Sequence, residues 1–174
     1  SLSYWNVKML TRSVNVLFLD THDNSIHSVL NGHYLAKLNQ SAHINIITVV
    51  HPDYKGILRE LPCPVYSIQF KSKIDLAAIK TIKMLIDKHR IDIIHCHSNR
   101  PLANAIVATY GAKRTPKVIC RRGIVRAVRR YDPIEWLTTL NPRYSHTIAL
   151  SEAIAQDLIA TSQFSASAIT TIYQ

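Results

Sequence analysis

Seven short apolar runs constrain this chain more than any other feature: residues 14–19, 44–50, 65–68, 92–95, 117–120, 146–150 and 169–172. They are continuous rather than alternating, and strands of that kind belong to sheets covered on both faces. Between them lie segments with helical spacing. In residues 74–89, Ile74, Ala78, Ile82, Leu85 and Ile86 share one stripe, while Lys80, Lys83, Asp87 and Lys88 mostly point away. Further helices are expected at 28–38, 101–112, 133–140 and 153–161, with Pro101 and Pro133 in first turns and Ser151 as an N-cap. A parallel return needs a crossover, which a helix supplies. The alternation therefore predicts an α/β fold, a doubly wound and mainly parallel sheet of about seven strands with helices on both faces.

The 174 residues, 47% of them hydrophobic, suffice for one core. Residues 14–174 are read as that single domain, and residues 1–13 as an unassigned leader whose first residues fit a cloning remnant. No run approaches the ~20 apolar residues of a membrane span, and no signal peptide is visible. Cys63, Cys96 and Cys120 have no paired spacing, and the last two lie in apolar runs. They read as reduced core thiols of a cytoplasmic protein.

In doubly wound sheets the functional groups collect in loops beyond the carboxyl ends of the strands. That rule points to residues 20–27, 51–54, 97–100, 121–130 and 151–152. The first of these loops places Asp23, Asn24 and Ser25 before a helix, where backbone amides can receive a donor phosphate. It contains no glycine, so an NAD-type fingerprint is absent. His95 and His97 flank Cys96, and the strand period of two puts both histidines on one side of the sheet and the cysteine on the other. A metal held with His22 or His27 is the weaker idea, because no second close-spaced ligand pair supports it. No metal and no cofactor are expected.

The densest charge lies in residues 121–130, with five arginines and no acid. Guanidinium groups match phosphate and carboxylate bidentately, so Arg121, Arg122 and Arg126 are expected to gather an anion. His97, Ser98 and Asn99 are expected to line the same cleft, with Ser151 and Glu152 beside it; the alternative is a merely solvated loop. A formal net charge of +10 fits phosphorylated sugars, lipid headgroups or nucleic acid as partners. Tyr131, Ile134, Trp136, Leu137 and Leu140 follow, and they suit either core packing or docking at an anionic membrane. Nucleic acid ranks lowest, since the aromatics are not interleaved with the arginines.

The stretches "IDIIHCHS" (91–98), "KVICRRG" (117–123), "HTIALSEAIAQDLI" (146–159) and "ITTIYQ" (169–174) follow one another in this order. Together they resemble the amino-terminal domain of GT-B glycosyltransferases of family 4, over residues 14–174. The resemblance implies the Rossmann-like, acceptor-binding half of a retaining enzyme. Such an enzyme moves a sugar from a nucleotide-sugar, its substrate, to a glycan or lipid-linked acceptor, here an anionic one. It further implies a donor-binding carboxyl-terminal domain that is absent from this chain, a piece inactive alone, and work on cell-envelope polysaccharide at the inner face of a membrane. Two positions depart from the family. Glycines common after the first strand are replaced by Asn24, Ser25 and Ile26, and the histidine common before the glycine after the fifth strand is replaced by Arg122. An arginine cannot accept a proton at neutral pH, so no catalytic residue is assigned. The rival readings are a non-enzymatic flavodoxin-like binding or regulatory domain and a basic nucleic-acid-binding domain. Replacing Arg121 and Arg122 together with Ala is expected to reduce retention on anionic lipid or phosphoglycan while thermal unfolding stays nearly unchanged; unaltered retention removes the arginine anion site.

Overall fold

All seven apolar runs form strands, and every pair is parallel. The computed structural model describes residues 13–20, 35, 37–38, 40–41, 43–54, 62–125, 127–162 and 164–173. The strands are β1 (Val14–Leu19), β2 (Ile44–Val50), β3 (Val65–Ser67), β4 (Ile93–Cys96), β5 (Lys117–Arg122), β6 (Tyr144–Ala149) and β7 (Ile169–Thr171). They form one sheet in the order β3-β2-β1-β4-β5-β6-β7. The reversal of winding falls between β1 and β4, whose register pairs Phe18 with His95 and Leu19 with Cys96. Helices α1 (Leu76–Lys88), α2 (Asn99–Gly111), α3 (Pro133–Trp136) and α4 (Glu152–Thr161) supply the later crossovers. Of the helix expected at 28–38, Leu35, Lys37 and Leu38 are helical and the rest lies outside the described residues. The leader 1–12 lies outside them as well.

Both faces of the sheet carry a core. On one, Ala78, Ile82, Leu85 and Ile86 of α1 and Leu102, Ala105 and Ile106 of α2 cover Leu17, Leu19, Ile94, Cys96, Val118 and Cys120. On the other, Leu35 and Tyr54 cover Phe18, Ile46 and Val50. The α1 stripe is therefore as the spacing predicts, except at Ile74, which is 53% exposed. It precedes the N-cap Asp75, whose carboxylate accepts from the Ala77 and Ala78 amides at 3.1 and 3.2 Å, so Ile74 is outside the helical period. Cys96 and Cys120 are buried free thiols facing each other in register. Burial pushes the Cys120 thiol up to about 12 and Cys96 well above its ordinary value, which keeps both protonated.

Three local differences from the sequence reading have identifiable causes. β5 continues through Arg121 and Arg122 because these residues stay paired with Ile148 and Ala149 of β6. The helix expected over 133–140 stops after one turn, at Trp136, whose carbonyl accepts from the Asn141 side-chain amide at 3.0 Å. In β5 and β6 burial alternates: Val118, Cys120, Tyr144 and Ala149 are buried, while Ile119 and Ile148 are only partly covered. An apolar run marks a strand reliably, yet it does not require equal cover on both sides.

Ile94 has no exposed surface, whereas its neighbour Ile93 is partly exposed. Ile94→Asp is expected to abolish folding, because an unpaired carboxylate would be forced into the α1–α2 side of the sheet, while Ile93→Asp costs less. Far-ultraviolet circular dichroism of the two variants checks the order.

Candidate functional site

Parallel pairing brings the carboxyl ends of β1, β2, β3, β4, β5 and β6 to one rim. Cys96 is level with Cys120, so Ser98 and Arg122 emerge at the same end of neighbouring strands. The His97 amide donates to the Leu19 carbonyl at 3.1 Å, and the Leu150 amide to the Arg122 carbonyl at 3.1 Å, which extends the pairing to the lip itself.

At the reversal between β1 and β4 the two histidines lie on one face of the sheet, against Phe18. The Phe18 ring centroid is 5.3 Å from that of His95 and 4.5 Å from that of His97, and the two imidazoles are 5.1 Å apart. Cys96 belongs to the core on the opposite face, as the strand period requires. His95 is buried, and its Nε2 has no hydrogen-bond partner among the described residues. Burial, reinforced by the Arg121 guanidinium, lowers its pKa from 6.5 to about 4, so the ring is neutral at pH 7. Among the described residues no group of three His, Cys, Asp or Glu side chains is placed to hold a metal ion. His22 and His27 lie outside the described residues.

The two arginines grouped in the sequence reading part company. Arg121 acts electrostatically on His95, on the histidine face. Arg122 is one residue further along the strand and points to the other face, where its Nη1 donates to Thr139 Oγ1 at 3.2 Å. Arg126 and the donor-phosphate candidates Asp23, Asn24 and Ser25 lie outside the described residues. Ser151 caps α4 by accepting from the Ile154 amide at 3.4 Å. Glu152 is engaged locally, accepting from Gln156 Nε2 at 2.8 Å and from Thr171 Oγ1 at 3.4 Å. Of the apolar group at 131–140, Leu140 is core, while Tyr131 and Trp136 are 82% and 54% exposed.

A cleft of about 750 Å³ opens on the rim where β2, β3 and β4 end. Ser98, Asn99 and Arg100 at the start of α2 form one wall; Gln69, Phe70, Lys71 and Lys73 after β3 form another, with His51 after β2 between them. Its shape is fixed by Asn104, which is wholly buried. The Asn104 Oδ1 accepts from the Asp75 amide at 2.8 Å, and its Nδ2 donates to the Ser72 and Arg100 carbonyls, both at 2.9 Å. One side chain thus ties the loop after β3 to the first turn of α2. The sequence reading placed Ser98 and Asn99 in a cleft with Arg121 and Arg122, neither of which lines this one, and missed Lys71, Lys73 and Arg100 as a set. Lys71-Ser72-Lys73, a basic pair just beyond a predicted strand, was the available signal.

A model of glycosyltransferase family 4 matches residues 33–174. The chain belongs to glycosyltransferase family 4. No curated protein matches this family 4 chain significantly in sequence. Among solved structures it is similar to a glycosyltransferase from Rickettsia africae ESF-5, with TM-score 0.73 and 17% identity, covering 93% of this chain and 43% of that one. It is also similar to the apo form of the lipopolysaccharide outer core galactosyltransferase WaaB, with TM-score 0.63 and 16% identity over 92% and 46% of the two chains. A third is Anabaena Alr3699/HepE in complex with UDP and glucose, with TM-score 0.65 and 16% identity over 92% and 44%. The family 4 chain therefore spans less than half the length of each of these structures.

The neutral, buried state of His95 has a consequence for stability. Its folded pKa is depressed, so the unfolded chain binds the additional proton between pH 6.5 and about 4, and stability falls as pH drops through that window. The expected loss between pH 7 and pH 5 is about 2 kcal/mol. In His95→Leu this contribution is absent, and urea unfolding at the two pH values checks the difference.

Proposed function

We propose that this chain is the acceptor-holding half of a retaining glycosyltransferase, which takes its sugar from a nucleotide-sugar and is inactive without a second, donor-binding domain. The observation that carries the reading is the family 4 match over residues 33–174 on a parallel sheet whose loops open onto one rim. The rim suits holding better than chemistry. His95 is sealed and neutral, Arg122 is a fixed cation bonded to Thr139, and Glu152 is bound to its own helix and to β7. Bond making then falls to the other domain, with a nucleotide-sugar such as the UDP-linked class as substrate and no metal or further cofactor in this half. The UDP and glucose in the structure of Alr3699/HepE support that donor class.

The acceptor is an anionic glycan or a lipid-linked saccharide of the cell envelope. Arg121 and Arg122 flank β5 on its two faces, with His97, Ser98 and Asn99 on the neighbouring strand end and Ser151 and Glu152 beyond. Among the described residues no helix is long and apolar enough to cross a membrane. A cytoplasmic location with peripheral contact at the inner membrane face is supported by the exposed Ile124, Val125, Tyr131 and Trp136 interspersed with Arg129 and Arg130. Aromatic and cationic side chains together favour an anionic interface.

The test compares residues 1–174 with the natural full-length protein in a transfer assay using radiolabelled UDP-sugars and envelope glycan acceptors. Transfer is expected from the full-length protein alone. Transfer by the 174-residue chain, or its absence from the full-length protein across donors, overturns the proposal.

A further inference from the structure

We propose that the cleft at the ends of β2, β3 and β4 is a subsite for a phosphorylated saccharide, its phosphomonoester held by Lys71, Lys73 and Arg100. The proposal rests on the acceptor-side reading above and narrows it to a chemical class.

Three cations line one concavity of about 750 Å³, and among the described residues no carboxylate lines it with them. Two acids lie nearby without lining the cleft, and one of them, Asp75, acts electrostatically on Lys71. Asp75 accepts from the Lys71, Ala77 and Ala78 amides, and the first of these does most to hold its carboxyl below the ordinary value. Asp53, itself largely exposed, lies 3.6 Å from the His51 ring. Among the described residues Lys71, Lys73 and Arg100 enter no ion pair. Three like charges converging on one space repel each other, and a bound dianion relieves that repulsion. A phosphomonoester carries about −1.5 to −2 charges at neutral pH, so it balances the set better than a single carboxylate. Ser98, Asn99 and Arg100 bring the amino end of α2 to the cleft, and a helix amino end favours the same sign.

The remainder of the cleft suits a sugar rather than bare phosphate. Gln69, Ser98 and Asn99 present hydrogen-bonding groups of the kind that pair with hydroxyls, and Phe70 contributes an apolar floor. The volume lies in the range of small-ligand sites and accommodates one or two sugar rings. The walls are preformed, because Asn104 fixes the loop after β3 against α2. A lipid surface fits the cleft itself less well: Ile74 and Leu76, exposed just after Lys73, are not among its lining residues, and the exposed Ile124, Val125, Tyr131 and Trp136 belong to the segment after β5.

The test is an amide NMR titration of the full chain with glucose 1-phosphate, inorganic phosphate and glucose. Glucose 1-phosphate is expected to perturb the amides of Lys71, Lys73, Ser98, Asn99 and Arg100 and to bind at least about fivefold tighter than inorganic phosphate. The triple variant Lys71→Ala, Lys73→Ala, Arg100→Ala should weaken it at least about tenfold, and Arg100→Gln alone about threefold should the triple variant fail to fold. Arg129→Ala with Arg130→Ala, which removes charge outside the cleft, should leave binding unchanged. Equal affinity for inorganic phosphate overturns the saccharide class, as does equally strong competition from vesicles containing phosphatidic acid. An equal loss in the Arg129 and Arg130 variant, or no perturbation at all, overturns the subsite. Binding is read without any sugar transfer, so its failure leaves the transferase reading standing, and failure of transfer by the full-length protein leaves the binding result standing.

Discussion

Parallel hydrogen bonding between β1 and its two neighbours is the constraint on which the rest depends. A parallel ladder forms only when each strand starts from the same edge, so each strand must be followed by a segment that carries the chain back. β1 is bonded to β2 over six residue pairs and to β4 over four, and the winding reverses between β1 and β4. The base of that reversal is pinned by polar bonds. The Asn15 amide donates to Asp92 Oδ2 at 3.0 Å, its side-chain amide donates to the His89 carbonyl at 3.0 Å, and Arg114 pairs with Asp92 Oδ1 at 3.1 Å. With that end held, the opposite strand ends have to form one rim.

What the rim offers is set by how its loops are held. α2 is buried almost all round, between the sheet, α1 and the segment containing Asn141, to which Tyr110 donates at 3.2 Å. A helix in that position has little freedom, and Asn104 passes its rigidity to the loop after β3. Burying an amide is costly unless its hydrogen bonds are made, and Asn104 makes three. The cleft cations are therefore projected from a fixed frame. Binding an anion there requires little further ordering of the backbone, which is the usual advantage of a preformed site.

The histidine face obeys the opposite logic. His95 and His97 are packed against Phe18 and withdrawn from water, and burial together with Arg121 favours the uncharged ring of His95. The imidazole of His95 is thus kept uncharged below a lip that carries Arg121. The same strand period that separates His95 from Cys96 separates Arg121 from Arg122, so neighbours in sequence serve different faces.

The amino-acid sequence by itself determined the seven strands, their parallel sense, the α1 stripe and the family, because apolar runs and helical spacing are local patterns that the backbone reads directly. It also located the rim, from which Ser98, Asn99, Arg121 and Arg122 were legible. The tertiary structure alone decided which rim loops meet. Lys71 and Arg100 are brought to one cleft by a crossover and by the buried Asn104, and no local period encodes an encounter across so much chain. The extension of β5 through Arg122 and the uneven cover of β5 and β6 were decided in the same way, by what each strand found beside it. A side chain's direction follows from the strand it sits in, but its neighbours follow from strand order, which is fixed only when the whole sheet has packed.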